Sequence, residues 1–165
     1  MSNKWVVNAS PLILLAKINQ LTLLTQLTDE LVIPESVVKE INVGAANDPA
    51  RTWLQADGKR WIRPNAPAEL ALAAWDLGAG ETAVLNWTYR HGNFEAILDD
   101  RAARRCAAIY GIPVRGTLGI ILAAKQRGAI SAAKPLCEAL VKVGIRIDAR
   151  ILNKALHLVG EAPTL

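Results

Sequence analysis

The chain has 165 residues, of which 52% are hydrophobic and 21% charged, with a formal net charge of +4. That suits one well-packed core and excludes disordered and low-complexity classes, while the mild basic excess permits an anionic partner without demanding one. No apolar run reaches the ~18 residues of a membrane span, and the opening stretch is broken by Asn8, Ser10 and Pro11 with no small-residue cleavage site, so a cytoplasmic protein is expected.

Trp5 to Val7 reads as a buried strand, and Ser10-Pro11 as a helix cap followed by a residue suited to the first helical position. Leu12 to Leu27 carries helical spacing with a weak point at Asn19, giving two short helices or one bent helix. Glu30 to Ile33 is the next strand, and Pro34 opens a helix through Val37, Val38 and Ile41. Asp48-Pro49 starts another helix, and Arg60 to Arg63 reads as an edge strand bounded by Pro64 and Pro67. Gly78-Ala79-Gly80 breaks the helix begun near Ala68, and a new helix runs from Glu81 towards His91-Gly92. Phe94 to Leu98 is the clearest central strand, Asp99-Asp100 caps a helix from Arg101 to Tyr110, and Pro113-Val114 is a last short strand before a helix at Gly116-Thr117. Strands alternating with helices predict parallel βαβ crossovers, hence a three-layer α/β/α sandwich with a mostly parallel sheet. The expected organisation is a domain over 1–130 with a helical extension over 131–165, Asp148 capping part of it. Cys106 and Cys137 have no partner at ligand spacing and read as free buried thiols.

Ligands of open parallel sheets bind beyond the carboxyl ends of the strands, which directs attention to Asn8 and Ser10, to Asp99 and Asp100, and to Thr117. Glu40 and Glu81, on helices, are placed to reach the same edge. Two carboxylates ~4 Å apart repel by roughly 4 kcal/mol at an effective dielectric near 20, so such a cluster calls for a cation or a shared proton. An all-oxygen donor set suits Mg2+ or Mn2+, which bind through a few carboxylates plus phosphate oxygens and promote attack of water on a phosphodiester. Each residue also has a plainer use. Asn8, Ser10, Asp100 and Thr117 suit turns and caps, Glu81 gains from the dipole at its helix start, and Glu40 suits a solvated face. Arg101, Arg104, Arg105 and Arg115 suit either a phosphate-binding patch or a solvated helix face. The sequence contains no phosphate-cradling glycine loop with a Walker-type lysine.

The segments Val6-Val7-Asn8-Ala9-Ser10-Pro11-Leu12-Ile13, Ile33-Pro34-Glu35-Ser36-Val37, Gly80-Glu81-Thr82-Ala83, Leu98-Asp99-Asp100-Arg101 and Gly116-Thr117-Leu118-Gly119 together resemble PIN-domain proteins, in the order that family shows. The likeness is to a nucleic-acid-binding branch related to the toxin ribonucleases of toxin-antitoxin pairs. It implies divalent-metal-dependent cleavage of RNA, or of DNA, with Mg2+ or Mn2+ as cofactor, a homodimer and an antitoxin-like protein partner. Residue by residue, it implies a metal site of Asn8, Glu40, Glu81 and Asp99 or Asp100, with the four acids catalytic, and to these their places in the sequence add Ser10 and Thr117 as pocket residues and Arg101, Arg104, Arg105 and Arg115 as phosphate contacts. Asn8 stands where the family has its first Asp: it offers a carbonyl oxygen but no charge, which lowers metal affinity and leaves a binding or regulatory protein as the alternative function.

Overall fold

The computed structural model describes residues 3–161, so the last residues of the expected extension, 162–165, lie outside the described residues. Five short strands, β1 Lys4–Val7, β2 Glu30–Pro34, β3 Ile62–Arg63, β4 Glu95–Ile97 and β5 Val114–Arg115, form one sheet in the order β3-β2-β1-β4-β5. Every neighbouring pair is parallel, with Val6 beside Val32 on one side and Ala96 on the other. Trp5, Val6 and Val7 are buried because β1 is the middle strand, covered on both faces, and such strands are apolar at consecutive positions. The run Phe94 to Leu98, expected to be central, contributes β4 immediately beside it. The chain moves outward from β1 through β2 to β3, then returns to β4 and continues to β5. The strand order therefore reverses between β1 and β4, and the crevice beyond their carboxyl ends is where such sheets take ligands.

Helices cover both faces, giving the α/β/α sandwich expected from the alternation. They are α1 Ala9–Lys17, α2 Thr22–Leu27, α3 Glu35–Asn42, α4 Pro49–Gln55, α5 Leu70–Ala73, α6 Ala79–His91, α7 Arg101–Ile109, α8 Thr117–Gln126, α9 Lys134–Lys142 and α10 Ala149–Leu158. Asn19, at φ 57°, separates α1 from α2 in the left-handed region that asparagine tolerates better than most residues. A single buried cluster runs from Trp5 and Ile33 through Leu98 and Ile120 to Leu140, Leu152 and Leu156, so α9 and α10 share the core of the sheet. Cys106 and Cys137 are buried, free thiols in it. No helix among the described residues is long and apolar enough to cross a membrane.

Three local expectations are corrected. Ser10 is not a cap: α1 begins at Ala9 with Asn8 at its N-cap position, which frees the Ser10 hydroxyl for a contact elsewhere. Gly78-Ala79-Gly80 is not a break between helices, since Ala79 and Gly80 belong to the first turn of α6. Only Ile62–Arg63 pairs as a strand, because Asp57–Trp61 winds into a 3-10 helix first and Pro64, lacking an N–H, follows at once.

The chain supplies α9 with a cap from a distance. Ala133 at its N-cap position has no capping side chain, and Glu161 instead accepts hydrogen bonds from Ala133 N at 2.6 Å and Lys134 N at 3.0 Å. These donors hold the Glu161 carboxyl below its ordinary pKa, with Lys125 at 3.8 Å helping. A depressed carboxylate stabilises the fold above its unfolded pKa and loses that contribution as pH falls through the folded value. Glu161→Gln is therefore expected to cost about 1–2 kcal/mol at pH 7, by urea denaturation, and the difference should shrink in acid.

Candidate functional site

At the switch point, Asn8 directly follows β1 and is 2% exposed. Its amide donates from Nδ2 to Glu81 Oε1 at 3.1 Å, while its carbonyl oxygen Oδ1 is buried with no donor to it among the described residues. Glu81 occupies the first turn of α6, whose positive dipole end favours a carboxylate there. Glu40, near the end of α3, turns its carboxylate in over the same turn. A Cβ on Gly80 would lie 2.5 Å from Glu40 Oε2 and 2.8 Å from Asn8 Oδ1, so both oxygens converge on the space that the missing side chain leaves. A Cβ on Gly78 would likewise strike Glu81 Oε2. The Gly-Ala-Gly run thus clears room for Glu40 Oε2 and Asn8 Oδ1 above Gly80 and for Glu81 Oε2 beside Gly78, a cradle between the end of β1, α3 and the start of α6.

Asp99, which follows β4, lies at the same carboxyl edge of the sheet, one strand over from Asn8. Its Oδ1 accepts from Thr117 N at 2.8 Å and its Oδ2 from Thr117 Oγ1 at 2.6 Å, with Ser10 Oγ at 3.5 Å. Thr117 is fully buried at the start of α8, so these bonds hold the carboxylate at the positive ends of α1 and α8. Asp100 faces elsewhere: it is exposed, and its Oδ2 accepts from Ala103 N at 2.9 Å as the N-cap of α7. The two aspartates divide the tasks that their sequence left open, one at the crevice and one at a helix end. The N-cap position of α8 is taken by Gly116, leaving Thr117 free to serve Asp99.

Partial burial of its carboxylate, followed by the charge of Glu81, holds Glu40 above the usual carboxylate pKa. A raised pKa means that the folded protein is relatively more stable at low pH and gives up that advantage as pH rises through the folded value. A cation among these oxygens would compete with protons for them, so any cation affinity at the cradle is expected to fall as pH drops through the raised value. Mn2+ titration calorimetry at several pH values checks this, and Glu40→Gln should flatten the dependence.

Among the described residues, no three His, Cys, Asp or Glu side chains cluster closely enough to hold a metal ion by themselves. The converging donors are two glutamates and an amide oxygen, with Asp99 as a separate carboxylate fixed by Thr117. Of the arginines read as nucleic-acid contacts, Arg115 is engaged already, bound to Glu95 Oε1 at 2.6 Å and lying over the Trp5 ring. Arg104 stays beside the crevice: a Cβ on Gly116 would lie 2.8 Å from its Nη1 and 3.0 Å from Asp99 Oδ1. Arg101 and Arg105 are exposed on α7.

Gly78, Gly80 and Gly116, which make room for the acids of the candidate site, are the positions that the sequence did not single out. Their signal was a glycine one or three residues before an acid at a helix start, and a glycine immediately before the threonine that holds another acid. No curated protein matches the chain. The family DUF3368, described as a PIN domain, matches residues 4–161, nearly the whole length and every residue of the crevice. This chain belongs to that PIN-domain family.

Proposed function

We propose that this protein hydrolyses RNA phosphodiester bonds with a divalent cation, Mg2+ or Mn2+, held by Asn8, Glu40 and Glu81 with Asp99 opposite. The observation that carries the proposal is the orphaned, buried Oδ1 of Asn8, converging with Glu40 Oε2 on the cradle above Gly80. A buried carbonyl oxygen without a donor is costly unless something electropositive meets it, and an all-oxygen, doubly anionic set fits a hard cation. Family membership supports a nuclease independently.

A cation bound there would neutralise charge on the phosphate and lower the pKa of a water. The protein's own contribution is positional. Asn8 Nδ2 orients the Glu81 carboxylate, leaving its other oxygen toward the α6 terminus. Thr117 and Ser10 fix Asp99 where it can accept a proton from an attacking water, while Glu40 and Glu81, as carboxylates, would hold the cation. The N-termini of α1, α6 and α8 place positive dipole ends around the phosphate.

The test is cleavage of labelled single-stranded RNA with Mg2+ or Mn2+. Glu81→Gln and Asp99→Asn should each lower the rate roughly a hundredfold or more, the scale of losing one group that stabilises transition-state charge, whereas Asp100→Asn should leave cleavage nearly unchanged. A second reading, a nucleic-acid-binding or regulatory protein without hydrolysis, draws on Asn8 itself, whose amide already pairs with Glu81. Salt-dependent RNA binding without cleavage by the native chain would favour it. The resemblance to toxin ribonucleases extends the first reading to a homodimer and an antitoxin-like inhibitor. Light scattering and co-purification from the host test those points.

A further inference from the structure

An open groove of about 850 Å³ begins at Asp99 and Gly116 and runs between α7, α8 and the C-terminal segment 145–155. Arg101, Arg104 and Arg105 line one side of it, and Arg146, from the segment before α10, lines it from the C-terminal segment. Among the described residues, no carboxylate lies within ion-pair distance of any of these four. Asp148, a carboxylate lining the groove, is committed to capping α10 and to Arg150. Asp99, at the mouth of the groove, is held by Thr117 and lies beside Arg104, so the four arginines leave an excess of positive charge along the groove that an anionic occupant would neutralise. Arg115, paired with Glu95, also lines the groove, and much of the rest is aliphatic: Leu118 and Leu122 from α8, Ile145 and Ile147 before α10, and Ile151, which is 61% exposed.

We propose that this groove carries the flank of a single-stranded RNA leaving the crevice, with phosphates on the arginines and unstacked bases against the aliphatic lining. The inference rests on the hydrolysis reading for the identity of the strand, and it adds to that reading a substrate path built partly from the C-terminal segment. Continuity with Asp99 makes the strand entering the crevice the natural occupant. A duplex turns its base faces inward and has nothing to set against Leu118, Leu122 and Ile151, whereas a single strand has both a charged edge and apolar faces. Arginine suits the phosphate side because its planar fork matches phosphate oxygens.

The experiment measures binding of labelled polyuridine to the full chain in EDTA, where hydrolysis plays no part, across a salt series. Arg105→Ala with Arg146→Ala should weaken binding roughly tenfold and reduce the slope of log K against log salt by about 0.7 for each phosphate left unneutralised. Lys17→Ala with Lys142→Ala, the same charge change away from the groove, should have little effect. Ile151→Glu, at an exposed position, should weaken binding as well, so the result does not depend on one pair of variants. Unchanged binding in the arginine variants and in Ile151→Glu would overturn the proposal, as would duplex RNA competing as well as polyuridine. Polyglutamate competing better than RNA would overturn it in favour of an acidic polypeptide. A native chain that binds through the groove without cleaving in Mn2+ would remove hydrolysis and leave the groove. One that cleaves while the variants bind normally would do the reverse.

Discussion

Replacing Gly80 with alanine is expected to lower RNA cleavage about a hundredfold while the protein stays folded. The new methyl group would fall 2.5 Å from Glu40 Oε2 and 2.8 Å from Asn8 Oδ1, far inside van der Waals contact, so the two oxygens must separate. The protein can absorb this, because both atoms are side-chain ends and alanine is favoured over glycine by roughly 1 kcal/mol inside a helix. Catalysis cannot absorb it so easily, since a displacement of about 1 Å in a reacting constellation costs on the order of a hundredfold. The variant removes no acid and no charge, which separates the geometry of the cradle from its composition. Three measurements check it: the cleavage rate, Mn2+ affinity by calorimetry and the melting temperature in EDTA. Native Mn2+ affinity in Gly80→Ala would show that the cradle is not where the cation sits.

What sequence could and could not reveal about this cradle follows from how each residue got there. The strands were legible because β1 and β2 are largely apolar runs, and the ends of β1 and β4 put Asn8 and Asp99 on one edge once the sheet was read as parallel. The pairing of Asn8 with Glu81 spans 73 positions and carries no local pattern. That pairing also accounts for the misplaced cap. Asn8 holds the N-cap position without a capping bond because donation from Nδ2 to Glu81 leaves Oδ1 turned toward Gly80 and away from the first amides of α1, and Ser10, which looked like the cap, reaches Asp99 instead. The glycines looked like punctuation because glycine usually is, and only the positions of Glu40 and Glu81 in space show that absent side chains are the point. For Asp99 and Asp100, adjacent acids with the same local propensities, the choice depended on where Thr117 lay.

Asn8→Asp is expected to make the metal-free protein markedly less stable and the metal-bound protein more stable than native. In metal-free protein the substitution turns a hydrogen bond of 3.1 Å into two facing carboxylates, beside Glu40 as a third. Two such charges about 4 Å apart repel by roughly 4 kcal/mol at an effective dielectric near 20, an upper bound because the pair can share a proton. Sharing raises the folded pKa of the pair, so the variant should be nearly as stable as native in acid and should lose stability as pH rises through that value. A divalent cation reverses the sign, because the third carboxylate that repels its neighbours attracts the ion. Tighter binding then feeds directly into folding stability, worth about 2.7 kcal/mol at a hundredfold excess over the dissociation constant. Melting curves in EDTA and in Mn2+ between about pH 5 and 8, by scanning calorimetry, read both effects. A melting temperature for Asn8→Asp that ignores both pH and Mn2+ would mean that the amide of Asn8 does not face a shared cation site.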